Sequence, residues 1–314
     1  MSGQETPAAY VALWRSGELA RRVQEAYQRL EQCDLCPRVC GVNRRQGELG
    51  MCRTGELAVV SSYGPHFGEE APLVGESGSG TIFFANCNLR CCYCQNYEIS
   101  QLGEGHTVLP RELATIMLRL QRMGCHNINL VSPSHVVPQI LAAVEIAAAD
   151  GLRLPLVYNT GGYDALSTLQ LLDGVVDIYM PDMKYSDAEI ALRLSGIRDY
   201  PAANRAAVAE MHRQVGDLTL GERGIATRGL LVRHLVLPDQ MAGTEEIARF
   251  LATEISRNTY LNVMAQYRPC YQAHKVPGLN RGISQQEYLE AVGMALRHGL
   301  TRLDARPRRS RVVI

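Results

Sequence analysis

Six short apolar runs, separated by segments of helical length, constrain the fold of this 314-residue chain more than any other feature. The runs read TIFFANC, NINLVSP, LPLVYNT, VVDIYMPDMK, GLLVRHLVLP and LNVMAQYRP. Alternating strands and helices favour a parallel sheet with helices outside it, and strands that are apolar throughout favour a sheet covered on both faces. The sequence therefore predicts an α/β fold, a partial (β/α)6 TIM-like barrel with an N-terminal cysteine-rich extension.

The segments between these runs carry helix signals. The segment RELATIMLRLQRMG has an apolar stripe at helical spacing, formed by Leu113, Ile116, Met117 and Leu120. Ser186 with Glu189, and Ser284 with Glu287, fit capping boxes at two helix starts. The chain up to about residue 30 is also predicted to be helical. Residues 33–80 carry few periodic signals, and GPHFGEEAPLVGESGSG is predicted to be an irregular loop.

We expect three regions along the chain. Residues 1–75 form an N-terminal helix and a cysteine-rich metal-binding extension, 76–300 the barrel, and 301–314 a basic tail. The tail sequence RPRRSR predicts a solvated segment because no aromatic residue interleaves its arginines. A formal net charge of zero gives no overall field that would attract nucleic acid or anionic lipid.

The sequence predicts a cytoplasmic protein. Its N-terminus shows no signal peptide, and no apolar stretch is long enough to span a membrane. In a reducing compartment, clustered cysteines more often bind metal or perform chemistry than form disulfides.

The predicted strands end in polar residues, which is unusual for strands that are otherwise apolar. In a β/α barrel the chemistry lies at the carboxyl ends of the strands. The candidate site is therefore formed by Cys87, 132–135, 159–161, 182–184, Pro238 and 266–268.

Three cysteines follow the first strand in the pattern C-x3-C-x2-C, namely Cys87, Cys91 and Cys94. Three thiolates on one loop can bind three irons of a cubane cluster and leave the fourth iron open to a small ligand. The alternative is a structural zinc site with a fourth ligand elsewhere in the chain.

The segment CNLRCCYCQN, placed after a first strand and before further β/α units, resembles the radical S-adenosylmethionine (SAM) superfamily. Over residues 30–300 the chain is most similar to activating enzymes of glycyl radical enzymes, and nearest to the pyruvate formate-lyase activating enzyme-related group. The resemblance implies a 4Fe–4S cluster that binds SAM and cleaves it reductively, giving a 5′-deoxyadenosyl radical for hydrogen abstraction.

The resemblance also implies partners. The cluster would take its electron from a reductant such as flavodoxin or ferredoxin. The substrate would be a backbone glycine of a glycyl radical enzyme, and the alternative is a small molecule or another protein.

Several positions match segments that line the SAM site in this family. The segment PDMKY resembles an Asp-x-Lys motif that contacts the methionyl end, which implies this role for Asp182 and Lys184. The segment VYNTGGY gives Asn159 and Thr160, and LVRHLVLP gives Arg233 as a further contact.

Aromatic and final-strand positions complete this implied set. Tyr93 would lie beside the adenine or pack within its loop, and AQYRP gives Tyr267 and Arg268 near the adenosine. The second strand departs from the family, because NINLVSPSH stands where activating enzymes carry a Gly-Gly-Glu motif. The candidates to replace that motif are Asn129, Ser132, Ser134 and His135.

Two residues are candidates for catalysis on the substrate. His135 is either an acid/base group or a histidine at a helix start. Cys270, near the mouth of the barrel, either donates a hydrogen atom to a substrate radical or packs inertly.

A second cysteine group precedes the barrel in the pattern C-x2-C-x3-C-x11-C, formed by Cys33, Cys36, Cys40 and Cys52. Four thiolates can close a zinc site or hold a second iron–sulfur cluster, and the spacing does not distinguish them. The arginines among these thiols offset thiolate charge or form a solvated face; they are Arg38, Arg44, Arg45 and Arg53.

An interpretation from another functional class is also open. The chain could be a non-catalytic iron–sulfur electron-transfer protein whose barrel is vestigial. The polar strand ends argue against it, because a vestigial barrel does not need Asp182, Lys184 and Arg268 at its mouth.

Overall fold

The fold was analysed in a computed structural model, which describes residues 7–304. The strands found in this range are β1 (Ala58–His66), β2 (Ser79–Phe84), β3 (His106–Val108), β4 (Ile128–Val131), β5 (Leu156–Thr160), β6 (Ile178–Pro181), β7 (Thr219–Leu220), β8 (Ala226–Leu235) and β9 (Tyr260–Met264). The α-helices in the same range are α1 (Tyr10–Arg15), α2 (Glu18–Gln28), α3 (Ala71–Val74), α4 (Tyr97–Ser100), α5 (Pro110–Arg122), α6 (Val137–Ala149), α7 (Leu166–Leu172), α8 (Ala188–Ser195), α9 (Tyr200–Val215), α10 (Thr244–Phe250) and α11 (Gln285–Arg297).

Six strands pair in parallel in the order β2, β4, β5, β6, β8 and β9. They correspond to the six apolar runs of the sequence. Three further strands extend the sheet antiparallel: β1 pairs with β2, β3 with β1, and β7 with β8. The predicted α/β class is confirmed, and the mixed sheet is consistent with a partial β/α barrel.

Alternate residues of each strand point to opposite sides of the sheet, and apolar side chains cover both sides. On one face Ile82, Leu130 and Tyr158 belong to the core that packs under the helices. On the other, inner face, Val157 and Met180 form a smaller apolar cluster with Leu73, Ile178, Leu218, Ala226 and Leu231. Asn129 is in register with Val157 and therefore lies on this inner face.

Two local predictions were wrong. The segment before β2 is not all irregular, because β1 and α3 form within residues 33–80. Helix α8 is capped by Asp187, whose side chain accepts from the backbone N–H of Ile190, so Ser186 is not the cap. By contrast, Ser284 and Glu287 form the expected capping box of α11.

The N-terminal helices are held by contacts with distant parts of the chain. The backbone N–H of Ala9 donates to Asp177 Oδ1 at 2.8 Å, and the Tyr10 hydroxyl donates to the Leu154 carbonyl at 3.1 Å. Among residues 7–304, no helix is both long and apolar enough to cross a membrane. The basic sequence RPRRSR, residues 306–311, lies outside the described residues.

Candidate functional site

The three cysteines of the C-x3-C-x2-C pattern lie on the loop that follows β2. Cys91 is buried, and its sulfur accepts a hydrogen bond from Ser195 Oγ at 3.0 Å. The sulfur of Cys94 lies 3.1 Å from Ser100 Oγ, and the sulfur of Cys87 accepts from a backbone N–H of the same loop at 3.4 Å. Each sulfur therefore already has a polar neighbour.

These thiols influence one another electrostatically. Burial and the nearby Cys91 together raise the pKa of Cys87 to about 12, whereas the Lys184 ammonium acts in the opposite direction. Burial and Cys91 likewise raise the pKa of Cys94. The thiols thus share one low-dielectric site with a cation, which favours anionic sulfur when a metal replaces the protons.

A buried ion network lies at the ends of β6 and β8. Asp182 Oδ2 is 2.5 Å from Lys184 Nζ, and Asp182 Oδ1 accepts from Arg233 Nε at 2.8 Å. Burial alone would raise the pKa of Asp182, but Arg233 and Lys184 reverse that effect and hold the pKa below its ordinary value. The lysine pKa is correspondingly raised, since Asp182 and Cys91 outweigh its burial.

Two asparagines of the inner face carry buried polar atoms without partners. Both side-chain amide atoms of Asn129 are unpaired among the described residues, as is Oδ1 of Asn159. Asn129 is fully buried, and Asn159 is 3% exposed. Buried amides are normally hydrogen-bonded, so these atoms indicate a place where a polar ligand can bind.

The other predicted residues on these two strand ends have local roles in the structure. Thr160 Oγ1 donates to Asp164 Oδ2 at 2.7 Å and lies 2.9 Å from Ser134 Oγ. Ser132 has a φ of 59°, in the left-handed region, and its backbone N–H donates to the Asn159 carbonyl. Its strained backbone marks a sharp turn after β4.

Tyrosines surround the cysteine loop. The Tyr93 hydroxyl lies 2.6 Å from the Tyr185 hydroxyl, which is 2.7 Å from Ser195 Oγ. The Tyr93 ring also meets the Tyr267 ring edge-on, with centroids 5.9 Å apart. The Tyr267 hydroxyl donates to the Leu279 carbonyl at 2.6 Å. Tyr93 and Tyr267 are therefore in contact beside the cysteine loop.

The segment after β9 contacts the cysteine loop from another side. The backbone N–H of Gln272 donates to the Cys92 carbonyl at 2.8 Å, which places half-buried Cys270 beside that loop. Arg268, in contrast, is exposed.

Two buried glutamates that the sequence did not predict as site residues lie near Arg233. Glu69 and Glu70 are 8% and 5% exposed, and their charges are near enough to Arg233 to raise its pKa. Glu70 Oε1 accepts from Asn262 Nδ2 at 2.9 Å, whereas its Oε2 has no partner among residues 7–304. The only sequence signal was a pair of acidic residues in a Gly-rich segment, which ordinarily indicates a solvated loop.

The four N-terminal cysteines border one small cavity, together with Arg38, Arg44, Met51 and His135. Burial, together with the nearby thiols of Cys52 and Cys33, raises the pKa of Cys36 to about 12. Arg44 is buried, whereas Arg45 and Arg53 are exposed and do form a solvated face.

His135 lies at this N-terminal cavity. It is 2% exposed, and its Nε2 is 3.0 Å from the Ala85 carbonyl oxygen. Burial and the charge of Arg44 together lower the pKa of His135 to about 4, so the imidazole is neutral at physiological pH.

No three Cys, His, Asp or Glu side chains within residues 7–304 converge on a position that could hold a single metal ion. All ten cysteines are free thiols. A cubane differs from a single ion, because each cysteine ligand binds a different iron and the sulfurs surround a larger volume.

Solved structures with a similar arrangement include a radical SAM methyltransferase from Sphaerobacter thermophilus, at 15% identity and a TM-score of 0.45, over 73% of this chain and 66% of that one. Streptococcus suis SuiB matches at 13% identity and a TM-score of 0.45, over 70% of this chain and 46% of that one. SuiB bound to S-adenosylmethionine matches at 12% identity and a TM-score of 0.45, over 70% of this chain and 47% of that one. The chain thus spans less than two thirds of each of these proteins.

The sequence comparisons are more decisive. The chain is 32% identical over 287 residues to the uncharacterized protein MJ0674 of Methanocaldococcus jannaschii, which covers 89% of this chain and 78% of that protein. The family profile described as Radical SAM superfamily matches residues 81–251, more than half of the chain, and this range includes the three cysteines after β2. The chain therefore belongs to the radical SAM superfamily.

Proposed function

We propose that this protein is a radical SAM enzyme in which Cys87, Cys91 and Cys94 hold the 4Fe–4S cluster that the family implies. A cluster held there would supply one electron for the cleavage of SAM into methionine and a 5′-deoxyadenosyl radical, and this chemistry would allow a hydrogen atom to be abstracted from the substrate. The observation that carries the proposal is the group of three thiols beside the Lys184 ammonium, at the carboxyl edge of the parallel sheet.

The donor set fits such a cluster. Three thiols lie on one short loop, and each sulfur has a hydrogen-bonding neighbour of the kind that tunes iron–sulfur centres. Helix α8 also holds the loop, because the backbone N–H of Cys92 donates to the Leu194 carbonyl at 2.8 Å. The chain thus fixes the loop through backbone contacts and leaves the sulfurs available to iron.

The inner face fits the methionyl end of SAM, which carries an ammonium and a carboxylate. Lys184 can pair with that carboxylate as a point charge, while Asp182 holds the lysine in place. The unpaired amides of Asn129 and Asn159 offer donors and acceptors at the position of the missing Gly-Gly-Glu motif. We propose Arg233, Ser132 and Thr160 as supporting contacts and Tyr93 and Tyr267 as neighbours of the adenosine.

The identity of the substrate is also part of the proposal, and fewer residues bear on it than on the cluster and SAM. Similarity to the pyruvate formate-lyase activating enzyme-related group favours a backbone glycine of a glycyl radical enzyme, and the alternative is radical modification of a small molecule or another protein. For the alternative, in which the product is not a radical, we propose that the Cys270 thiol gives its hydrogen atom to the substrate radical and that the reductant restores the thiol from the thiyl radical; its position beside the cysteine loop supports this role. Arg268 would contact the substrate or SAM only after moving in from its exposed position.

The N-terminal residues 1–75 would form an extension that holds a second metal at Cys33, Cys36, Cys40 and Cys52. The support is that these four thiols border one cavity. We assign residues 76–300 to the barrel and 301–314 to a tail. Radical SAM enzymes typically need a reductant, and we propose flavodoxin or ferredoxin in the cytoplasm, where the free thiols would remain reduced.

The first test is production of 5′-deoxyadenosine from SAM by anaerobically reconstituted protein with dithionite as reductant. The wild type should produce it, and a variant with Cys87, Cys91 and Cys94 all changed to Ala should not. Cys125→Ala is the matched control, because this cysteine is buried in the hydrophobic core and should leave cleavage intact. A wild type that reduces normally but makes no 5′-deoxyadenosine would favour the electron-transfer interpretation.

The substrate class has its own test. A candidate glycyl radical enzyme, incubated anaerobically with this protein, SAM and reductant, should develop a glycine-centred doublet in its EPR spectrum. Absence of the doublet while SAM is cleaved would exclude that partner. If the substrate is instead one whose product is not a radical, Cys270→Ala should retain SAM cleavage and lose product formation, and normal product from this variant would refute its assignment as the hydrogen-atom donor.

A further inference from the structure

Three exposed apolar side chains on the N-terminal extension lie together and form an apolar patch. Val39, Leu49 and Met51 are 65%, 57% and 49% exposed. The two segments that carry them are in contact, because the position that a Cβ atom would take at Gly50 lies 2.6 Å from the Cys40 sulfur. Exposed apolar side chains that are grouped in this way usually mark a surface to which another molecule binds.

The backbone presents Val39 to solvent in an uncommon conformation. Its φ is 40°, in the left-handed region, which is rare for a β-branched residue. Its N–H donates to the Cys36 carbonyl at 3.0 Å, and the N–H of Gly41 donates to the Cys33 carbonyl at 2.9 Å. Because these bonds fix the turn, the exposure of Val39 is a property of the fold.

Two arginines without carboxylate partners flank the apolar patch. Arg53 is two residues after Met51, in a turn that its own backbone N–H closes. Arg90 Nη1 donates to the Met51 carbonyl at 3.4 Å. Within residues 7–304 neither guanidinium pairs with a carboxylate, whereas Arg45 pairs with Glu31. An apolar centre with a positive rim is complementary to an acidic protein surface.

These two arginines are also free of the thiols of the extension. Arg38 and Arg44 line the cavity that the N-terminal cysteines border, and they would offset thiolate charge there. Neither Arg53 nor Arg90 is among the lining residues of that cavity. Their charge is therefore available to a partner in solution.

Hydrogen bonds join this surface to the cysteine loop that follows β2. Arg38 Nε donates to the Asn88 carbonyl of that loop at 2.6 Å. Arg90 belongs to the same loop and reaches Met51 in the extension. A molecule bound on the apolar patch would thus lie against the cysteine loop, whereas SAM and the substrate would use the inner face of the sheet. Such a molecule could deliver an electron without blocking the substrate.

We propose that the apolar patch, with Arg53 and Arg90, is the docking surface for the protein reductant, a small acidic one-electron carrier. This rests on the proposed function, because it needs a cluster at Cys87, Cys91 and Cys94. Each encounter would pass one electron from the carrier, which is oxidised, to that cluster, which is reduced. Electron-transfer complexes are commonly weak and bury less than about 1,200 Å², which suits three apolar side chains and a charged rim.

Binding is measured with the full-length reconstituted protein and with oxidised flavodoxin or a ferredoxin as the probe. Arg53→Glu should weaken binding at least about fivefold at low salt, since it reverses a charge at the rim of the interface. The difference should shrink at high salt, because salt screens exposed charges. Arg122→Glu, at the exposed end of α5, is the matched control and should bind like the wild type. Equal affinities of the two variants, or no binding of either carrier, would overturn the proposal.

The apolar contribution is tested by Leu49→Ser. This variant should weaken binding by about fivefold at both salt concentrations, the effect of removing an important interface side chain. Leu289→Ser is the matched control, because Leu289 is 53% exposed and lies on α11, which packs against α10. A Leu49→Ser variant that binds as tightly as Leu289→Ser would refute the role of the apolar patch.

The choice of reductant separates docking from chemistry. Arg53→Glu should lower kcat/KM for reduced flavodoxin by the same factor as its affinity and leave dithionite-driven formation of 5′-deoxyadenosine unchanged, since dithionite needs no docking surface. Equal losses with both reductants would show a structural defect and overturn the assignment. A wild type that makes no 5′-deoxyadenosine with dithionite would instead refute the proposed function, while the binding measurement still decides the docking surface.

A second copy of this chain is the competing occupant of the apolar patch. A symmetric dimer would bring two positive rims together, which disfavours it. Sedimentation velocity of the wild type, Arg53→Glu and Leu49→Ser compares their oligomeric states. We expect the same state for all three, and self-association that both substitutions abolish while carrier binding is unchanged would overturn the proposal.

Discussion

Replacement of Asp182 by Asn should destabilise the protein strongly, because this carboxylate neutralises two buried cations. Its oxygens lie 2.5 Å from Lys184 Nζ and 2.8 Å from Arg233 Nε, and the three side chains are 13–18% exposed. Removing one member of a buried charge network typically costs about 3–5 kcal/mol, and here Lys184 would lose its carboxylate partner while Glu69 and Glu70 still act on Arg233. We therefore expect a loss of this size in the free energy of unfolding.

The assay is urea denaturation of anaerobic protein with matched metal content. Asp150→Asn is the control, because Asp150 pairs with Arg111 on the surface, where both side chains are at least 45% exposed. Such exposed pairs contribute at most about 1 kcal/mol. Adding Lys184→Met to Asp182→Asn should restore part of the lost stability, since it removes the ammonium that the first substitution leaves unpaired. Equal losses for Asp182→Asn and Asp150→Asn would refute the reasoning.

Protonation of Asp182 should act like the substitution. Its folded-state pKa is lower than its ordinary value, so its contribution is present above about pH 4, the ordinary range of an aspartate, and is lost as the pH falls through the lowered pKa. The difference in stability between wild type and Asp182→Asn should therefore shrink in acid. A difference that stays constant down to the acid unfolding transition would contradict the assignment.

Three further predictions follow from single contacts. Ser195→Ala removes the hydrogen bond to the Cys91 sulfur at 3.0 Å. A hydrogen bond worth about 1–2 kcal/mol favours the reduced cluster, because that state is the more negative one. The midpoint potential of the cluster should therefore fall by about 40–90 mV in an EPR-monitored titration. Burial raises the pKa of Asp177 to about 6, so wild-type stability should fall as the pH rises from about 4 to 6, and Asp177→Asn should flatten this slope in urea titrations. Ser284→Ala should cost about 1 kcal/mol in the same assay because it removes the cap of α11, and an unchanged midpoint would contradict the capping role.

The parallel strands could be predicted because their apolar runs reflect burial on both faces, a property of each segment by itself. Strand β1 could not, because AVVSSYGPH is only half-buried and contains Gly and Pro. Its pairing with β2 is a tertiary effect. A sequence pattern does not contain such pairings.

The residues of the candidate site divide in the same way, into those that a local sequence pattern marks and those that only the tertiary fold brings together. Cys87, Cys91 and Cys94 are recognisable because their spacing is local, and Asp182 and Lys184 because they directly follow a strand. Glu70 and Ser195 approach the site from elements far along the chain, so no local pattern marks them.

The contact between Ala9 and Asp177 also has a consequence for synthesis on the ribosome. The N-terminal helices cannot reach their final position until β6 has been made, 168 residues later. At a rate of about 5–20 residues per second, that interval lasts about 10–30 s. The cysteines of the extension would thus emerge long before their surroundings are complete. Stalled nascent chains should show the buried Cys33 thiol open to alkylation when they end before β6 and protected once β8 has left the exit tunnel. Early protection of Cys33 would show that the extension folds without the barrel.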